Sequence, residues 1–236
     1  MILLKDIFDA LAFGELSGIS LGSTGEIDED DYPQIISHIN MGLTALYKRF
    51  NLKQQELILY QQEDVSLYYL HADRVGALAD MDDTVYILYN ENNPFEDDLL
   101  KVLAIYDEDE DLVPLNNRNN DDSVFTPSPD ILKMTPEDPV EYRTITYQAN
   151  HPKIVITDSF DPDRYELEAP EFLKEALLLY VAGRVFRSKK RGTDKGPSEA
   201  STFMIEYETA CMKLQVFGLI PEDDESTSSF ANNGWA

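Results

Sequence analysis

The sequence predicts an α+β fold: a helical bundle of N-terminal helices and a C-terminal helical hairpin, with a β-rich insertion between them and an extended C-terminal tail. Three observations predict it. Apolar residues recur at spacings of three and four towards both ends of the chain. Between those stretches the pattern changes to short β-branched and aromatic runs separated by turn residues. After Gly218 large apolar side chains almost vanish. On these boundaries residues 1–53 and 168–218 form a helical domain, 54–167 the insertion and 219–236 the tail.

Taken in order, residues 3–13 predict a short amphipathic helix with Leu4, Phe8 and Leu11 on one side, broken by Gly14, Gly18, Gly22 and Gly25. Glu26 to Asp31 followed by Pro33 is a helix start, because carboxylates suit the positive end of the helix dipole and proline is tolerated in the first turn. Ile35, Ile39, Leu43, Leu46 and Phe50 carry that helix onward, and Lys48 and Arg49 suit its negative end. Strands are expected at 57–60, 65–69, 85–89, 142–147 and 154–157, with Asn150-His151-Pro152 as a tight connection between the last two. Residues 97–106 suit a short helix or a further strand, and the Pro-, Asn- and Asp-rich stretch 107–139 reads mostly as loop. Pro170-Glu171 opens the next helix and Gly192 ends it, while its middle, 176–182, is apolar all round and therefore expected to be buried. Gly196-Pro197 opens the last helix, whose seam is Phe203, Tyr207, Ala210, Leu214 and Phe217. A short basic loop between these two helices makes them an antiparallel hairpin.

Composition excludes several classes. The chain has 236 residues, with 45 Asp and Glu against 19 Lys and Arg, a formal charge of −26. Apolar residues at 43% and aromatics at 11% nevertheless supply a core that a disordered chain lacks. So acidic a protein is not expected to grip DNA by neutralising phosphates, nor a membrane surface through basic residues. No apolar run approaches the roughly 20 residues of a spanning helix, and the first residues do not read as a signal peptide. The single cysteine, Cys211, allows no internal disulfide and fits a reducing cytoplasm.

Motifs for nucleotide binding, nucleophilic hydrolysis and zinc are missing from the sequence, and no catalytic residue, metal ligand or cofactor-binding residue is assigned. His38, His71 and His151 are far apart. His38 falls on or beside an apolar helix face as a core or interface residue, and His151 reads as a turn residue. Cys211 reads as a small buried group. Asp107 to Asp111 has the first spacings of a calcium loop but Leu112 where glycine is needed, and Asp80 to Asp83 has Val85 there. The one departure from acidity is Arg184, Arg187, Lys189, Lys190, Arg191 and Lys195. Arg184, Arg187 and Arg191 share a helical face, which complements the helix C-terminus and also suits an acidic surface of another subunit.

The order of elements resembles that of the head-to-tail adaptors of tailed bacteriophages, of the head-completion or tail tubular A type. The resemblance rests on Ile36-Ser-His-Ile-Asn-Met-Gly-Leu-Thr-Ala-Leu-Tyr-Lys-Arg49 ahead of a β region. It continues in Pro170 to Arg184 with Tyr180, Phe186 and Arg187, and in a long helix such as Glu199 to Phe217. It implies a non-enzymatic virion protein at the head–tail junction, made in the cytoplasm of a bacterial host. Such a protein forms a ring, a dodecamer in that family, between a portal protein and a tail tube or nozzle protein. Double-stranded DNA then passes through the lumen during ejection without specific binding. Twelve copies at −26 bring roughly 300 negative charges around one axis, and a negative wall repels phosphate and lets DNA slide.

Two alternatives belong to other classes. One is a calcium- or other divalent-metal-binding protein or hydrolase using Asp80–Asp83 and Asp107–Asp111. The other is an acidic DNA-mimic regulator. Subunit or portal docking is assigned to Arg184, Arg187, Lys190, Arg191, Phe230 and Trp235. The last two are the aromatic side chains of a tail too polar to form a core, which is expected to extend along the portal with both aromatics in pockets.

Overall fold

The structure is a computed structural model, and it describes residues 2–17, 27–135, 142–189 and 196–216. It mixes helix and sheet, and it divides into two compact units, Met1–Asn51 with His151–Ala236 and Leu52–Asn150. The second unit is thus inserted in the chain of the first. Its far boundary falls at Asn150, whereas the sequence pattern carried the insertion on to residue 167.

The first unit begins with β1 (Ile2–Leu3) and α1 (Leu4–Ala10), the latter ending in a widened turn at Leu11–Glu15. A 3-10 turn of three carboxylates, Glu29–Asp31, leads into α2 (Tyr32–Arg49), which has Pro33 in its first turn and Lys48 and Arg49 in its last. The apolar face of α2 buries Ile35, Ile36, Ile39, Leu43 and Leu46, the three-four spacing that defines an amphipathic helix. After the inserted unit, β10 (Glu166–Leu167), numbered in chain order, pairs antiparallel with β1. Then come α3 (Lys174–Lys189), entered through a 3-10 turn at Glu171–Leu173, and α4 (Gly196–Val216).

Residues Ala176 to Ala182 of α3 are all buried, as an all-apolar stretch requires. Helix α2 approaches α3 so closely that a Cβ on Gly42 would stand 2.8 Å from Leu177 Cδ1 and 3.0 Å from Tyr180 Cδ1. Helix α4 packs on α3 through Tyr207 against Tyr180 and Phe203 against Phe186, with ring centres 5.3 and 5.1 Å apart. Phe203 and Leu214 are half-buried and Tyr207, Ala210 and Cys211 buried; Phe217, the expected end of the seam, lies outside the described residues.

Residues 154–157 form no strand, contrary to their β-branched composition. The amide of Asn40 on α2 takes the place of a neighbouring strand: Asn40 Nδ2 donates to the Ile154 carbonyl and Ile154 N–H donates to Asn40 Oδ1, both at 3.0 Å. Aromatic contacts then tie the rest of the segment to the helices, with Phe8, Tyr32, Phe160 and Tyr165 in successive contact at 5.0, 6.3 and 5.9 Å. Backbone bonds from Leu4 to Tyr165 and from Lys5 to Pro162 complete the attachment. These contacts place residues 151–167 in the helical unit.

The second unit holds the other strands, β2 (Gln54–Tyr60), β3 (Leu67–Tyr69), β4 (Val75–Gly76), β5 (Ile87–Leu88), β6 (Leu99–Tyr106), β7 (Phe125–Ser128), β8 (Ile131–Lys133) and β9 (Tyr142–Ala149). One sheet has the order β4-β5-β2-β9-β6 and the other β3-β8-β7. The interior strand β9 pairs antiparallel with β2 (Leu57 opposite Ile145) and β6 (Ile105 opposite Ile145), so within 97–106 residues 99–106 are strand. The stretch expected to be mostly loop contains the hairpin β7–β8, where Pro127 and the tight turn after Ser128 mask a strand pattern. Inward alternation buries Leu57, Leu59, Val102, Ile105, Ile145 and Tyr147 with Tyr68, Tyr86 and Phe95.

Candidate interaction site

The expected docking face begins on α3. Arg184 is half-buried, its guanidinium 5.4 Å from the centre of the Tyr180 ring, and its Nε and Nη2 donate to the Tyr180 hydroxyl at 3.3 and 3.1 Å. This charge is therefore positioned by its own helix, one turn back. Arg187 is exposed. Lys190, Arg191, Phe230 and Trp235 lie outside the described residues. His38 faces the same corner. Neither of its ring nitrogens has a hydrogen-bond partner among the described residues, and burial first, then the nearby Arg184 charge, holds its pKa below the ordinary value.

Beside this corner runs a groove of about 730 Å³, absent from the sequence reading. One wall is the outer face of α2, from Pro33 through Ile36, Asn40, Met41 and Thr44 to Lys48. The other is the extended segment Lys153 to Ile156, and Tyr180 closes one side. The wall is built by the Asn40–Ile154 clasp together with His151. The Nε2 of His151 lies 3.0 Å from the Asn40 carbonyl and 3.2 Å from Thr44 Oγ1, and its Nδ1 lies 2.8 Å from the Pro152 carbonyl. His151 is thus a buried connector of the chain crossing rather than a plain turn residue, and burial dominates in lowering its pKa. Tyr47 locks the same crossing by donating to the Glu168 carbonyl, and burial raises its pKa to about 12. Met41 is 41% and Val155 62% exposed, so the groove presents apolar surface to solvent.

A second exposed apolar surface among the described residues lies on α4. Ile205, Met212 and Val216 recur at spacings of seven and four, which brings them onto one face of a helix, and they are 68%, 52% and 82% exposed. The opposite face of α4 carries Cys211, fully buried, with a thiol pushed up by that burial; it is not the thiolate a nucleophile needs.

The acidic clusters of the β unit close on their own loops. Asp82 Oδ1 accepts from Thr84 N (2.7 Å), Thr84 Oγ1 (2.6 Å) and Val85 N (2.8 Å), and Asp107 Oδ1 accepts from the backbone of Asp109 and Asp111. Among the described residues no group of three or more His, Cys, Asp or Glu side chains is placed to hold a metal ion. A half-buried polar cluster does occur, with the Tyr147 hydroxyl 3.0 Å from Asp98 Oδ1 and 2.8 Å from Gln55 Oε1. Burial raises both groups, which fits a satisfied core contact across the sheet. Among the described residues no helix is long and apolar enough to cross a membrane.

No protein-family model matches the chain, and no curated protein is significantly similar to it. Of the expected site only Arg184 and Arg187 are described, and of these Arg184 touches a group that the sequence also singled out, Tyr180. The groove went unseen because its floor depends on a polar clasp between residues more than a hundred positions apart, Asn40 and Ile154. The periodicity of α2 does contain one signal: Ser37, Met41 and Lys48 sit off the buried stripe.

Proposed function

We propose that the chain is a structural adaptor subunit that assembles into a ring, on the pattern of phage head-to-tail adaptors, with a portal protein on one side and a tail tube or nozzle protein on the other. In this reading α3 and α4 form an antiparallel hairpin inside a helical bundle, supported by the Tyr180–Tyr207 and Phe186–Phe203 contacts. The observation that carries the proposal is the exposed strip Ile205, Met212 and Val216. A chain of formal charge −26 repels its own copies, and an apolar stripe of that width gains free energy when another protein surface covers it. Arg187 beside the Tyr180–Arg184 pair supplies cations that a neighbour's carboxylates match. The acidic remainder of the surface, gathered around a lumen, keeps DNA sliding rather than bound. The segment after Gly218, with Phe230 and Trp235, is the arm that reaches the portal.

Light scattering and negative-stain imaging of the purified protein, alone and with a candidate portal, test this directly. Rings are expected, on their own or nucleated by the portal, and Ile205→Lys with Met212→Lys leaves a folded monomer. A parent protein that stays monomeric with every portal tried overturns the reading. So does a double variant that assembles as well as the parent.

A further inference from the structure

We propose that in the free protomer the groove between α2 and residues 153–156 receives the acidic, aromatic segment 217–236 of the same chain. The inference stands on the groove and on composition, and does not depend on the adaptor reading.

Charge comes first. In a protein with 45 acidic residues, no carboxylate lies among the described residues that line this groove; its charged lining residues are Lys48 and Lys153, and Arg184 stands behind Tyr180 at its edge. The rest of the lining is apolar or neutral, with Met41, Val155 and Ile156 as its exposed apolar contact surface. The matching occupant is an acidic segment with large apolar side chains. In this sequence the run Glu222-Asp223-Asp224-Glu225, followed by Phe230 and Trp235, has that chemistry and contains no lysine or arginine from Phe217 onward.

Reach and direction agree. Glu208 of α4 forms an ion pair with Arg49, one residue beyond the Lys48 end of the groove. Val216 stands eight residues further along the helix, about 12 Å. Six extended residues from Val216 to Glu222 cover up to about 20 Å, enough to come back to Lys48. From Lys48 to Pro33 the groove runs about 22 Å along α2. The ten residues from Glu225 to Trp235 span up to about 33 Å, so both aromatics can lie within it. Tethering also favours the chain's own segment, since a short flexible connection sets an effective concentration in the millimolar range.

Trp235 is the sole tryptophan and reports on this segment without background. In the full-length protein its emission is expected to be blue-shifted and shielded from acrylamide, by the same amount over a hundredfold range of protein concentration. Met41→Glu with Val155→Glu, both at exposed positions, should shift the emission to that of an indole in water while circular dichroism and the melting temperature stay near the parent's. Lys48→Glu with Lys153→Glu should raise the ratio of open to docked segment about tenfold, an effect of about 1.4 kcal/mol. Solvent-like emission in the parent overturns the proposal. Shielding that persists in the Met41→Glu, Val155→Glu variant overturns the groove as the receptor. Shielding that grows with concentration assigns the segment to a second copy and overturns docking within one chain.

Discussion

The two units of this chain differ in how far along the sequence their characteristic polar contacts reach. In the β unit the acidic loops close on themselves: Asp82 and Asp107 cap their own turns, and the Tyr86 hydroxyl joins the backbone of Tyr69 by accepting its N–H at 2.8 Å and donating to its carbonyl at 3.0 Å, while contacts such as Tyr147 with Gln55 and Asp98 reach across the sheet. In the helical unit polar groups act over long sequence distances, Asn40 on Ile154, His151 on Asn40 and Tyr47 on Glu168. The helical unit also leaves the groove and the α4 strip exposed. The β unit exposes large apolar side chains too, Leu78, Tyr89 and Leu112 among them, but in the helical unit Ile205, Met212 and Val216 share one helix face.

The strongest way to break this comparison is through the two cores. Leu177→Ala removes a fully buried side chain from α3 and Leu59→Ala one from β2, and each is expected to cost about 2–5 kcal/mol. Urea unfolding followed separately by helical circular dichroism and by NMR signals of the β unit should show whether each loss stays in its own unit. If either variant lowers both signals equally, the units unfold as one, and the contrast is one of surfaces only.

A middle-sized effect tests the clasp. Asn40→Ala deletes both bonds to Ile154 and leaves that backbone without its side-chain partner, a cost of about 1–3 kcal/mol borne by the helical unit. Hydrogen exchange at the Ile154 amide should speed up far more than exchange at the Ile145 amide in the core of the β sheet. Equal protection in variant and parent would remove the clasp from the account of the groove.

The smallest effect is the pH response. His38 and His151, both in the helical unit, have pKa values lowered chiefly by burial, below the ordinary 6.5. Above that value neither the folded nor the unfolded chain binds the proton and the histidines contribute nothing. As pH falls below 6.5 the unfolded chain takes up protons that the folded chain resists, so stability declines. In the β unit Asp82 is held below 3.8 by its bonds from Thr84 first and Asp130 by Ser128 first, so the stability those two contribute is lost only as pH falls through their lower folded values. Asp98, raised by burial, works against them in that range. The helical unit should therefore weaken first between pH 7 and 5, and His151→Gln should flatten the slope. A melting temperature unchanged across that interval would show that neither histidine is held neutral.

Much of this arrangement is legible in the residues alone, because periodicity and helix ends are local. The stripe of Ile35, Ile39, Leu43 and Leu46, the proline and carboxylates ahead of it, and the all-apolar 176–182 specify α2 and the buried α3 without reference to anything distant. The alternation in 57–60 and 142–147 specifies two of the central strands. Tertiary structure decided what local pattern leaves open. Residues 154–157 have strand composition, yet their hydrogen bonds go to a helix side chain, since β-propensity reports a half-buried surface and not a partner. The pair β1 and β10 is too short to show a period, and Gly42 looks like a weak point in a helix until the approach of Leu177 shows why a side chain has no room there. The groove, the position of Arg184 on Tyr180 and the crossing at His151 each need two stretches of chain brought together from far apart. Sequence sets the face of each element; only packing determines which faces meet and which stay open.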